Sequence, residues 1–196
     1  MEFHRRASTH ASSAILFPGA FNPPTRAHLA LASAALNWAP EIAFVLPRAF
    51  PHKEYEGPGF TLRLEMLLHA AAEPAFSVAS SGGGLFIEMV REARAADPAL
   101  NRLFLLCGRD AAERIVDWRY PAELAIDRQL EEFELLVAPR GGDYVPPSNL
   151  APKIHALHLE GWEEVSASEI RRRIACGTDW RALVPESIAD LVEKNY

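Results

Sequence analysis

Short, unbroken apolar runs alternate along the chain with longer stretches whose apolar residues recur every three or four positions. Ile15-Leu16-Phe17, Ile42 to Leu46, Phe76 to Ala79, Arg102 to Cys107, Phe133 to Ala138 and Ile154 to Leu159 have strand length. They carry little internal polarity, as strands covered on both faces do. Between them, His28 to Leu36 places Leu29, Ala32, Ser33 and Leu36 at helical spacing. Leu64, Leu67, Leu68 and Ala71 mark a second helical face, and Phe86, Met89, Val90 and Ala93 a third. Further helices are expected after Gly108, over residues 121–130, from Ser166 through Ile174, and around Ile188, Leu191 and Val192.

Strand–helix alternation of this kind predicts an α/β fold, a Rossmann-like parallel sheet with helices on both faces. Neither an internal repeat nor a long linker divides the chain, so a single domain is expected over 14–196. Residues 1–13 contain His4-Arg5-Arg6 without a following apolar segment, which excludes a secretory signal. They are expected to form a mobile N-terminal arm or an extension of the first strand.

Composition narrows the partners. The 196 residues are 49% apolar and 23% charged, with a formal charge of −6. That balance gives no broad basic footprint for nucleic acid, so anionic ligands must be held by local donors. No run is long and apolar enough to span a bilayer, and no membrane partner is expected. Two distant cysteines, Cys107 and Cys176, make no disulfide framework and suit a reducing cytoplasm. Cys107, ending a buried strand, reads as a packed core thiol.

Chemistry concentrates in the loops that follow strands. Phe17-Pro18-Gly19-Ala20-Phe21-Asn22-Pro23-Pro24-Thr25-Arg26-Ala27-His28 joins the first strand to the first helix. Gly19 permits close backbone approach, the prolines fix the loop's path, and the helix presents unpaired N–H groups and a positive dipole end. This is the layout of an anion site, with Thr25 and His28 as side-chain donors. Pro51-His52-Lys53 follows the second strand, where Lys53 is either a phosphate ligand or a solvated loop lysine. Gly108-Arg109-Asp110 follows the clearest strand; Asp110 can accept from ribose hydroxyls or cap a helix, and both roles are compatible. Trp118 suits stacking on a ring as well as it suits a core. Arg140 holds a phosphate or fixes its loop. Ser166-Ala167-Ser168-Glu169-Ile170-Arg171 opens a late helix with two hydroxyls and a guanidinium on one turn. His155 and His158 point to opposite faces of a strand, which argues against a shared metal ion.

The first loop resembles the G-x-F-x-P-x-[HT]-x-G-H signature of the nucleotidyltransferases, with Thr25 at the first histidine position and Ala27 where glycine is usual. Pro51-His52-Lys53 resembles the P-P-H-K segment of nicotinate-nucleotide adenylyltransferases. Gly108 to Asp110 resembles their G-x-D, with Trp118 at similar spacing. Val137 to Gly141 is similar to V-x-R-x-G, and Val165 to Arg171 to I-S-S-T-x-I-R with Ala167 replacing the middle serine. Leu183-Val184-Pro185 extends the likeness nearly to the end of the chain.

The resemblance implies adenylyl transfer from ATP, carried with Mg²⁺, to nicotinate mononucleotide in NAD biosynthesis. It implies catalytic roles for Thr25, His28, Lys53 and Arg171. It implies ATP contacts at Gly19, Ala20, Phe21, Gly108, Asp110, Ser166 and Ser168, and acceptor contacts at Trp118 and Arg140. Acceptor selectivity is expected from backbone N–H groups near residues 82–85 and 118–120. A homo-oligomer is compatible with this reading. The alternatives are a sister enzyme using nicotinamide mononucleotide or phosphopantetheine, and a nucleotide-binding regulator without catalysis.

Overall fold

The computed structural model describes residues 1–8, 11–50, 55, 57–138, 142, 144–159, 161, 162 and 165–196. The strands are β1 (Glu2–Arg5), β2 (Ser13–Pro18), β3 (Ile42–Pro47), β4 (Phe76–Ser81), β5 (Arg102–Gly108), β6 (Glu134–Ala138) and β7 (Ile154–Ala156). The helices are α1 (Arg26–Ala35), α2 (Phe60–Ala70), α3 (Phe86–Ala96), α4 (Arg109–Asp117), α5 (Ile126–Glu132), α6 (Ala167–Ala175) and α7 (Ala189–Asn195).

All strands join one sheet in the order β1-β4-β3-β2-β5-β6-β7, parallel except for β1. The chain builds outward from β2 to β4 on one side, then crosses back to add β5 beside β2. Connections therefore diverge between β2 and β5, leaving a crevice at their carboxyl ends where doubly wound sheets bind ligands. The expected Rossmann-like α/β architecture is the one formed.

Each central strand serves both faces, because successive side chains alternate across the sheet. Leu16, Ala43, Val45, Leu103, Leu105 and Leu135 pack on one side with α3 and α5 residues such as Val90 and Leu130. Ile15, Phe17, Phe44, Phe104 and Leu106 pack on the other with Ala32 of α1 and Leu67 of α2. This two-faced burial is why these strands read as continuous apolar runs. A third cluster joins Met66 of α2 to Ile170 of α6 and to Val184, Ile188 and Val192, so the C-terminal segment seats α6. Burying one such aliphatic side chain contributes about 1.5–3 kcal/mol.

Three expectations need correction. The segment 1–13 is not a free arm over its described part. Glu2–Arg5 pairs antiparallel with β4, and the Ala7 N–H donates to Ser77 Oγ at 2.7 Å. The buried β4 requires cover on that edge, and β1 supplies it. Residues 121–130 divide into a 3-10 turn, Ala122–Leu124, and α5. The strand expected to reach Leu159 ends at Ala156, after only three residues paired with β6. His155 lies in it, its Nε2 2.7 Å from Glu134 Oε2 and its ring 4.6 Å from Trp38, which makes it a packing residue.

Candidate active site

The first loop is built around an aromatic ring. Phe21 adopts a φ of 45° and turns its side chain inward, against Phe17, Phe44 and His28. A Cβ at Gly19 would sit 2.9 Å from the Phe21 ring, so glycine is required there by the protein's own packing. The sequence suggested a ligand contact for Phe21; the structure buries it to 2% exposure in the core. Holding a non-glycine residue at positive φ costs about 1–3 kcal/mol, offset by that burial and by side chains that grip the turn. Arg63 Nη1 donates to Ala20 O at 3.0 Å, Arg171 Nη1 donates to Asn22 O, and the Tyr196 hydroxyl donates to Asn22 Oδ1. Burial lowers the Arg63 pKa and raises that of Tyr196.

Thr25 is the N-cap of α1, and the cap is reciprocal. Its Oγ1 accepts from the His28 N–H at 3.1 Å, while its own N–H donates to His28 Nδ1 at 3.0 Å. Glutamate or glutamine usually fills this third helical position; a histidine does so here. Because Nδ1 accepts a backbone N–H, the neutral ring carries its proton on Nε2. Thr25 is 0% exposed and makes its contacts inside the turn. These contacts fix the tautomer and orientation of His28.

His28 lines a cavity of about 350 Å³ at the carboxyl ends of β2 and β5, within the ordinary range for ligand pockets. Gly108 lies on the same wall, and Ser166, Ala167 and Ser168 close it from the start of α6. Ser166 is the N-cap of α6, its Oγ accepting the Glu169 N–H at 3.1 Å. Ser168 Oγ accepts from Arg171 Nη2 at 3.2 Å, so Arg171 spans both signature loops. Glu169 turns away to Arg172 and Arg173 at 2.7 and 2.8 Å, and these bonds hold its carboxyl down at about 2. Arg172 and Arg173 are thus ion-paired. Cys107 also borders the cavity, and burial pushes its thiol up to about 12, leaving it un-ionised and inert.

A second cavity of about 170 Å³ adjoins the first, sharing Pro18 and Phe86 as a wall. Gly19 and Ala20 line it together with Phe50, Gly84 and Arg114. The backbone amides expected to receive an acceptor near 82–85 are engaged. Gly82 and Gly83 donate to Glu92, and Gly84 and Leu85 to Glu88, at 3.0–3.3 Å. Burial raises the Glu92 pKa, but bonds from Gly83 and Ser81 and the N-terminal ammonium hold it below its usual range. A Cβ at Gly83 would meet Glu88 Cβ at 2.8 Å, so this arrangement needs glycine.

Asp110 is exposed on the first turn of α4, where Gly108 takes the N-cap position expected for it. Trp118 ends α4 and is 49% exposed, which removes the core reading. Neither borders the first cavity. Lys53 and Arg140 lie outside the described residues. Three contributors were missed in the sequence: Arg63, Arg114 and Trp162, which lines the first cavity just before the α6 signature. A buried arginine amid the apolar face of α2 was a signal that could have exposed Arg63.

Comparison with known proteins places this arrangement. Residues 16–173 match the Cytidylyltransferase-like family. The chain is 31% identical to the "Probable nicotinate-nucleotide adenylyltransferase" of Thermus thermophilus, over 92% of this chain and 96% of the relative. It is 30% identical to the protein of the same description from Bordetella pertussis, over 92% and 95%. The Plasmodium falciparum nicotinic acid mononucleotide adenylyltransferase, solved in complex with NaAD, shares its fold at a TM-score of 0.71 and 18% identity, covering 93% of this chain and 95% of that one. With His28 and the α6 hydroxyls facing one crevice at the switch point, the chain belongs to the cytidylyltransferase-like family and, within it, to the nicotinate-nucleotide adenylyltransferases.

Proposed function

We propose that the protein transfers the adenylyl group of ATP to nicotinate mononucleotide, forming deamido-NAD and pyrophosphate. A phosphate oxygen of the mononucleotide attacks the α-phosphorus of ATP. The bond from that phosphorus to the β-phosphate bridging oxygen breaks, and pyrophosphate leaves with the electron pair. The attacking oxygen is already anionic, so no protein nucleophile is needed. The protein aligns the two phosphates and stabilises charge as it moves to the leaving group.

The observation carrying this reading is the shared cavity of His28, Ser166 and Ser168. His28, with its proton on Nε2, donates to the reacting phosphate. Ser166, Ser168, the first amides of α6 and Arg171 receive the β- and γ-phosphates, the helix N-terminus favouring their charge. Gly108 allows the nucleotide close to β5, Trp162 offers a flat surface for the base, and Asp110, which stands outside the cavity lining, is assigned the ribose on sequence grounds. Gly19, Ala20 and the second cavity take the acceptor, and Trp118, which stands outside the lining of both cavities, is assigned to its ring on sequence grounds. Lys53 and Arg140 are assigned further phosphate contacts on sequence grounds. Mg²⁺ supplies charge neutralisation when it enters with ATP. No group of three His, Cys, Asp or Glu side chains suited to an ion occurs among the described residues, and the hydroxyl and amide lining fits an ion carried by phosphate oxygens. Among the described residues no helix is long and apolar enough to cross a membrane.

Pyrophosphate release with ATP, Mg²⁺ and, in turn, nicotinate mononucleotide, nicotinamide mononucleotide and phosphopantetheine tests the proposal. Turnover fastest with the nicotinate acceptor is expected. Faster turnover with another acceptor identifies a sister enzyme, and ATP binding without turnover identifies a regulator.

A further inference from the structure

The second cavity holds a charge that no described residue neutralises. Arg114, in the second turn of α4, is the only charged side chain lining it among the described residues, and it makes no ion pair with any of them. Of the nearby acids, Glu113 pairs with Arg109 at 2.7 Å and Glu88 and Glu92 accept the amides of residues 82–85, while Asp110 and Asp117 share α4 with Arg114 without forming an ion pair with it. The remaining walls are apolar, chiefly Phe50, Phe86 and Met89. At about 170 Å³ the space suits a substituted ring and not a whole mononucleotide, being roughly half the lower end of ordinary ligand pockets.

We infer that Arg114 is the specificity-determining residue for the acceptor, pairing with the carboxylate on its pyridine ring. The inference rests on the proposed adenylyl transfer and deepens it. A carboxylate entering this apolar space needs a donor, and the amides of residues 82–85 are occupied by the protein's own carboxylates. The guanidinium offers a planar fork that matches both carboxylate oxygens. A neutral carboxamide presents one oxygen and an NH₂ group, so half of that fork meets another donor. Sites built to pair a polar group reject analogues that leave their donors unmatched.

The test titrates nicotinate and nicotinamide mononucleotides separately into wild type, Arg114→Ala, Arg114→Gln and Arg114→Lys, by calorimetry, and measures kcat/KM for both. Wild type is expected to favour nicotinate at least about tenfold, which corresponds to roughly 1.4 kcal/mol. In Arg114→Ala and Arg114→Gln the ratio collapses to within about twofold, with Arg114→Lys intermediate and binding of a non-hydrolysable ATP analogue retained. Should Arg114→Ala fail to fold, the Gln and Lys variants carry the comparison. A nicotinate preference that survives in the variants overturns the inference, as does a wild type without that preference. Arg114-dependent binding of nicotinate mononucleotide without pyrophosphate release would instead sink the adenylyl-transfer reading and leave this one standing.

Discussion

The helices α1 and α6 both begin with a hydroxyl residue, two spacers and a polar third residue at the rim of one cavity, yet they use that third residue in opposite ways. In α1, His28 folds back onto its own cap, so Thr25 and His28 lock each other. In α6, Ser166 caps the helix but Glu169 turns out to Arg172 and Arg173, leaving Ser168 toward the cavity. The α1 end is buried in Phe17, Phe21 and Phe44; the α6 end is anchored mainly through Ile170 on the C-terminal cluster. One end thus presents a single group in one tautomer and orientation, as transition-state stabilisation requires. The other presents several interchangeable donors, as binding a triphosphate requires.

The largest effect should come from His28→Gln. Glutamine can restore the capping contact but not the imidazole donor, so the melting temperature is expected to stay close to wild type while kcat falls about 10²–10³-fold. Retained turnover in a folded variant would remove His28 from the chemistry. Arg171→Ala should weaken binding of an ATP analogue about 10–100-fold, the worth of roughly 1.5–3 kcal/mol for a charge-assisted hydrogen bond. It also releases the Asn22 carbonyl, so a rise in acceptor KM should accompany the loss. An Arg171→Ala protein with unaltered nucleotide affinity would confine the residue to tying the two loops.

Smaller effects separate the caps from the ligand contacts. Ser166→Ala removes a cap worth about 1 kcal/mol, which should lower the melting temperature by about 2–4 °C in a chain of this size. No change in calorimetry would mean that the α6 end does not depend on its cap. The smallest effect concerns Glu169. Its carboxyl is held down at about 2 against 4.5, so any stability from its ion pairs is present above pH 4.5 and lost as pH falls toward 2. The group is partly exposed and screened, so the direct observable is an NMR titration in which Glu169 protonates well below the other glutamates. A titration near 4.5 would break the proposed division between the two helix ends.

Much of this was legible in the sequence because the parallel strands are buried on both faces and announce themselves as apolar runs. The ends of α1 and α6 that border the cavity were legible through capping residues and glycine. What escaped depends on contacts distant in sequence. Nothing local to Phe21 says that its ring faces Phe44 instead of a ligand, and nothing local to Gly83 says that Glu88 and Glu92 return to occupy its neighbouring amides. Arg63 and Tyr196 hold the first loop from 43 and 174 residues away. The edge strand β1 was hidden because its residues are polar and half exposed, giving no strand pattern until β4 is placed beside it.

The contrast between the two helix ends is tested most directly by measuring kcat at saturating substrates and ATP-analogue affinity side by side in His28→Gln and Ser168→Ala. The account predicts a crossed result: His28→Gln loses turnover and keeps nucleotide affinity, whereas Ser168→Ala loses affinity and keeps most of its turnover at saturation. Both variants failing in the same parameter, or the pattern reversed, would contradict it.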